Sequence, residues 1–305
     1  MTQRALLWGV VLAALALACA SAPAPSPPPP ASAPTAPFLW RAQAPDGLGD
    51  LFLLGSIHLG TPDSFDLGGA VAEAWERSEE LVVEIDVSQV SPQEAAAATL
   101  RHGTLPAGIT LADRLRPETW AALQEELARL DVPVESFARL KPWLAATRLA
   151  VLQFQHTGLE ARFGIDQQML ERAGAAKPVV ALESLDSQLA MLDSLPPAVQ
   201  ELMLIEALER APVAEQRAGH MVESWLRGDE DALVEVFFGE MGRPEFDVLY
   251  EKVYFERNQA MSEQLLELAR DGRTRLTVLG VGHMVGPRGI PALLAAHGFR
   301  VERIR

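Results

Sequence analysis

The sequence predicts an α/β domain in which a central, mostly parallel sheet lies under an extensive helical cover. Two observations predict it. Short, continuous apolar runs of strand length recur along the chain and are separated by stretches with helical periodicity, the pattern of strands buried on both faces. A glycine also stands three residues before a histidine at the exit of the first such run, and again at the exit of a late one.

The chain opens with Arg4 ahead of an uncharged apolar run, Ala5 to Ala18, which meets Cys19. That run has the length of a secretory signal core and is too short to span a bilayer. Leu15-Ala16-Leu17-Ala18-Cys19 resembles the lipobox of bacterial lipoproteins, in which the cysteine becomes the lipidated first residue. Ordinary cleavage near Ala20-Ser21-Ala22 is the alternative. Cys19 is the only cysteine, so no disulfide forms within the chain. The next stretch is almost wholly Ala, Ser and Pro and reads as an extended tether that buries no core. The expected organisation is a signal peptide over 1–18, a lipidated cysteine and tether over 19–37, and one folded domain over 38–305. Ala20 after the cysteine is consistent with outer-membrane sorting. The expectation is an exported lipoprotein on the periplasmic side of the envelope, held to the membrane by its lipid.

Within the folded part, strands are expected at Asp50 to Leu54, Leu81 to Asp86, Pro178 to Glu183 and Leu276 to Leu279, with Arg300 to Ile304 closing an edge. Between them, proline at an early position and apolar residues at helical spacing predict helices from Pro117, Pro142 and Pro197. Further helices are expected at Asp166 to Ala173, Ser187 to Leu195, Gln216 to Leu226 and Tyr250 to Arg270, with Gly228 capping one of them. The composition, 49% hydrophobic and 22% charged, supports a full-sized core. A net charge of −15 argues against nucleic acid or anionic lipid as a partner.

The chemistry-bearing residues cluster at strand ends. Gly55-Ser56-Ile57-His58 and Gly280-Val281-Gly282-His283 repeat one arrangement, and the two histidines meet only if their strands lie close together in the sheet. In open parallel sheets ligands gather at the carboxyl ends of strands. A glycine there lets the chain turn and brings backbone amides near a substrate. Glu84 interrupts an otherwise apolar run, so it must meet a cation, a metal or a proton. Glu183 is placed similarly, with helix capping as its plainer role. Asp166 reads first as an N-cap, and Arg257 as a helical arginine that forms a surface ion pair or turns inward. His102, His156, His220 and His297 carry no motif. Trp143 and Trp225 read as core, and Glu79-Glu80 and Glu125-Glu126 as solvated faces. Two imidazoles and two carboxylates suit a divalent transition metal or a metal-free general base.

These residues, with Lys141-Pro142-Trp143, Gly164-Ile165-Asp166, Gln188, Trp225-Leu226-Arg227-Gly228-Asp229 and Arg257-Asn258, run in an order that resembles the TraB/GumN family, over about residues 50–305. That family is similar to the Tiki metalloproteases and, more distantly, to erythromycin esterases and the haem-binding ChaN lipoproteins. The resemblance implies an active site with His58, Glu84, Glu183, Arg257 and His283 as catalytic residues. It implies Gly55, Asp166, Asn258 and Gly280 against the substrate, and His58, Glu84 and His283 around a metal such as Mn, Co or Zn. Three functions follow as expectations: an anchored metal-dependent hydrolase of peptides or small amides and esters, a metal-free His/Glu hydrolase, or a lipoprotein that captures a peptide signal or haem without turnover.

Overall fold

The computed structural model describes residues 38–45, 48–155 and 159–304. The expected signal peptide, Cys19, the tether and His156 lie outside the described residues. Six strands form one sheet: β1 (Leu39–Gln43), β2 (Leu51–Ser56), β3 (Glu80–Val83), β4 (Val179–Ala181), β5 (Arg275–Gly280) and β6 (Arg300–Ile304), in the order β4-β3-β5-β2-β1-β6. The pairs β2–β5, β3–β5 and β3–β4 are parallel, and β1 runs antiparallel to both β2 and β6. This is an α/β sheet of mostly parallel strands.

Every residue of β2, β3 and β5 is buried, so these strands read as apolar runs rather than as alternation. The helices at Pro142–Gln155 and Pro197–Arg210 follow their sequence limits and pack on each other. Among the described residues no helix is long and apolar enough to cross a membrane.

Several expectations are corrected. β1 was not foreseen, although Phe38-Leu39-Trp40 precedes a Pro45-Asp46-Gly47 turn signal; it pairs with β2 and puts β6 at the edge. The helix that carries Asp166 starts one residue earlier, at Ile165, and its N-cap is Gly164 without a side-chain cap, so Asp166 is not the cap. Glu183 caps nothing either, because Ser184 and Ser187 form the capping box of helix Leu185–Asp193. Glu80 is not on a solvated helix face. It begins β3 and is buried against Arg275, with Nε 2.8 Å from its carboxylate. Glu126 is partly covered and accepts from Arg129 and Gln153. The long helix expected over Tyr250–Arg270 contains a π-helical turn at Glu251–Phe255, which leads into helix Glu256–Ala269. π-turns of this kind recur at functional sites, and this one ends just before Arg257-Asn258.

Candidate active site

The four adjacent parallel strands end along one edge, and each delivers a residue of the site there. In register, Gly55 lies opposite Leu279 and Ser56 opposite Gly280, so the two Gly-x-x-His motifs leave neighbouring strands side by side, offset by one residue. Glu84 follows β3 directly. The backbone ladder continues past β4, with the Glu183 amide donating to the Glu84 carbonyl at 2.8 Å, which sets the two carboxylates next to each other.

Neither Gly55 nor Gly280 has positive φ, so neither makes a left-handed turn, and Gly55 serves close packing. A Cβ on Gly55 would sit 2.9 Å from Cγ2 of Val281, the residue by which the partner motif leaves β5. Trp225 is core, as expected, yet its Nε1 also donates to the Gly55 carbonyl at 2.8 Å and pins the motif. The Gly55 amide donates to the Phe38 carbonyl at 2.8 Å and the Gly280 amide to Oε1 of Glu84 at 2.6 Å. Both amides are therefore committed within the protein, contrary to the expectation that they face a substrate.

Each histidine is held at Nδ1. His58 lies 2.9 Å from Oδ1 of Asp166, and the same oxygen accepts the Ser56 hydroxyl at 2.8 Å. Ser56 in turn accepts from the Asp166 amide at 3.2 Å. His283, fully buried, lies 2.5 Å from Oδ1 of Asn258, whose Nδ2 donates to the Arg288 carbonyl at 2.8 Å. Asp166 and Asn258 thus hold imidazoles, and both ends of the Asn258 carboxamide are occupied. The other ring nitrogens, Nε2 of His58 and of His283, are buried and have no hydrogen-bond partner.

Beside His283 lies a carboxylate clamp. Arg257 does turn inward: Nη2 donates to Glu84 at 2.9 Å and to Glu183 at 2.6 Å, Nε to Glu183 at 2.9 Å, and Nη1 to the Val253 carbonyl at 2.9 Å. All three nitrogens are engaged, and Arg257 neutralises the carboxylates. Gln188 adds a donor shared by Glu183 at 2.7 Å and Glu84 at 3.4 Å. The Glu84 oxygen that meets Gly280 also lies 3.9 Å from Nε2 of His283.

This arrangement splits the ionisation of groups that look alike in sequence. Burial pushes the Glu84 carboxyl up, but the charges of His283, Arg257 and His58 and the Gly280 amide more than reverse it and bring it to about 2. Burial pulls His283 down, Arg257 pulls it further, and it falls to about 4 despite Glu84 and Glu183. Burial lowers His58 as well, yet the charge and hydrogen bond of Asp166 win and leave it raised. The result is a neutral imidazole, a more basic one and an ionised carboxylate in one enclosure, as a site for proton transfer requires.

Of the five residues expected to be catalytic, Glu84, Glu183, Arg257 and His283 share this network, and His58 is joined to it through the charges of Glu84 and Arg257. Ser56 and Gln188 belong to it too, and their roles were not read from the sequence. A serine inside a strand and a glutamine on a helix carry no local signal, although Gln188 stood among the ordered landmarks. His102 lies apart, against Asp186 at 3.0 Å. Among the described residues, no group of three or more His, Cys, Asp or Glu side chains is drawn together closely enough to hold a metal ion. The imidazoles nevertheless fit one, since metal-bound histidines commonly give their second nitrogen to a carboxylate or carbonyl oxygen, as these two do.

A family model for the TraB/PrgY/gumN family matches residues 38–303. The chain is 29% identical over 246 residues to Uncharacterized protein YbaP of Escherichia coli (strain K12), an alignment covering 79% of this chain and 86% of that one. It is 22% identical over 271 residues to an uncharacterized protein of Treponema pallidum (strain Nichols), covering 82% of this chain and 78% of that one. No solved structure matches.

Proposed function

The chain belongs to the TraB/PrgY/gumN family, and from that premise we propose that it is an exported, lipid-anchored hydrolase of peptides or of small amides and esters. Its chemistry would centre on His58, His283 and Glu84. The observation that carries this reading is the pair of buried, unpartnered Nε2 atoms, one from each Gly-x-x-His motif, on neighbouring strands with an ionised carboxylate beside them. Orphaned polar atoms are costly when buried, and two of them aligned on one strand edge call for a bound group.

A divalent ion (Zn, Mn or Co) would be held by the two Nε2 atoms with Glu84 as the third donor, and it would supply a Lewis acid and a water of lowered pKa. The remaining work falls to the chain. Asp166 and Asn258 fix the imidazole planes. Arg257 and Gln188 keep Glu84 ionised and in place. With a metal bound, both rings would present Nε2 lone pairs to it; only without one would His58, the more basic ring, be free to carry a proton to a leaving group. The 3.9 Å approach of Glu84 to Nε2 of His283 also favours a second reading, in which that pair activates water without a metal.

Elemental analysis of the purified full chain, with a peptide and ester substrate screen before and after chelation, separates these readings. Metal content near one per chain with chelator-sensitive turnover supports the first, and chelator-resistant turnover lost in His283→Ala supports the second. Stoichiometric capture of ligand with no product would sink both and leave a binding protein.

A further inference from the structure

We propose that Asn258 is a positioning residue that selects the tautomer of His283, so that Nδ1 carries the proton and Nε2 faces the site as a bare lone pair. The proposal deepens the hydrolase reading and rests on it only in taking His283 as a site residue. Carboxamide oxygen and nitrogen are distinguished by their partners alone. Here the partner decides. The Arg288 main-chain carbonyl can only accept, so the Asn258 amine must face it, 2.8 Å away. Oδ1 is thereby turned to His283 Nδ1 at 2.5 Å, and a carbonyl oxygen only accepts. A neutral imidazole has one N–H, so it sits on Nδ1 and Nε2 is left unprotonated.

The alternative tautomer has an evident attraction, which is why it needs to be excluded. A proton on Nε2 would point toward the Glu84 carboxylate, a stronger acceptor than any amide, but that oxygen lies at 3.9 Å and already receives the Gly280 amide at 2.6 Å. The nearer partner is Asn258. Its carbonyl anchor is itself braced. The Arg288 side chain is doubly paired with Glu251, at 2.7 and 2.8 Å, and lies 3.9 Å over the Phe255 ring. Glu251 and Phe255 are the two ends of the π-helical turn. The turn therefore holds the acceptor that orients Asn258, the residue directly after Arg257.

A carboxylate at residue 258 would still accept from Nδ1 but would lose the anchor that fixes its orientation. It would place negative charge against the Arg288 carbonyl, with no proton to donate. The contrast with His58 is built in: there a carboxylate, Asp166, takes the Nδ1 position, and its extra donor is the Ser56 hydroxyl instead of an acceptor.

The test is a long-range proton–nitrogen correlation spectrum of the full chain, labelled with 15N at its six histidines, metal-stripped and at neutral pH, with His283 assigned by substitution. Wild type should show His283 as the Nδ1–H form. In Asn258→Ala the Nδ1–H signature should give way to the Nε2–H form, and affinity for added Zn should fall on the order of 10–100-fold. Asn258→Asp keeps the acceptor and loses the donor, so it should keep the Nδ1–H form and serves if the alanine variant does not fold. An Nε2–H signature in wild type, or an unchanged Nδ1–H signature in Asn258→Ala, overturns the proposal. Absence of turnover alongside the expected tautomers would instead overturn the hydrolase reading and leave this one standing.

Discussion

Arg257→Lys should lower stability as well as any activity. Arg257 reaches Glu183 through Nε and Nη2, Glu84 through Nη2 and the Val253 carbonyl through Nη1, all between 2.6 and 2.9 Å at their closest. An ammonium on a flexible stem replaces one or two of these contacts, not all of them. A hydrogen bond to a charged group contributes about 1.5–3 kcal/mol, so losing two of the four contacts costs about 3 kcal/mol or more. The ionisation of Glu84 gives a second view of the same clamp. Its carboxyl is held at about 2 against an ordinary 4.5, by the charge of His283 first and of Arg257 next, so the clamp supplies part of the stability that this displacement represents. Because the folded-state pKa is the depressed one, this stability is present above pH 4.5 and is lost as pH falls from there toward 2. A weaker partner raises the Glu84 pKa, so the variant should lose less stability on acidification below pH 4.5 than wild type and complete that loss at higher pH. Thermal unfolding at neutral and acid pH measures both effects. For a chain of this size ~3 kcal/mol corresponds to a Tm lower by roughly 6–12 °C. A Tm within about 2 °C of wild type, with the same acid dependence, would show that the clamp does not hold the carboxylates.

Asp166→Asn should lower the His58 pKa, since burial would then act with little opposition. The raised folded-state pKa stabilises the protein below pH 6.5 and ceases to do so as pH rises through it, so the variant's deficit should be larger in acid than in alkali. Histidine NMR titration and unfolding at the two extremes check this, and an equal deficit at both would refute it. Ser56→Ala removes a hydroxyl that donates to Oδ1 of Asp166 and accepts from its amide; urea denaturation should show about 1–3 kcal/mol less stability, and an unmoved midpoint would remove Ser56 from the network. Cys19→Ser should release the protein from the membrane fraction, and continued retention with no acyl mass on the mature N-terminus would end the anchor proposal. Deleting residues 20–37 should leave Tm unchanged, and a drop of several degrees would show that the tether packs on the domain.

The apolar runs were legible because burial on both faces leaves a local mark, and β2, β3 and β5 carry it in every residue. β1 left a weaker mark: Arg41 is half-buried and Gln43 exposed, so the apolar run Phe38-Leu39-Trp40 is too short to read as a strand. Its place between β2 and β6 depends on antiparallel pairing with a segment at the far end of the chain, which no local window contains. Caps were misassigned where the side chain nearest a helix start was claimed by a distant partner. Asp166 is a capable N-cap by type, but Ser56 and His58 bind it first, 110 and 108 residues away.

The same reasoning separates what the repeated motif announced from what it concealed. A glycine and a histidine at a strand exit are local facts, and their recurrence pointed correctly to two neighbouring strands. The structure makes the two copies unequal. The first histidine leaves the edge beside a carboxylate and is made more basic, while the second sits in a 3-10 turn beside a carboxamide and is made less so. What distinguishes them, Asp166 for one and Asn258 for the other, lies on two helices that sequence order places 92 residues apart, (258 − 166). Periodicity tells which way a side chain faces, not which side chain it will meet. A symmetric motif can therefore encode an asymmetric pair, and the asymmetry is carried by the holders rather than by the histidines.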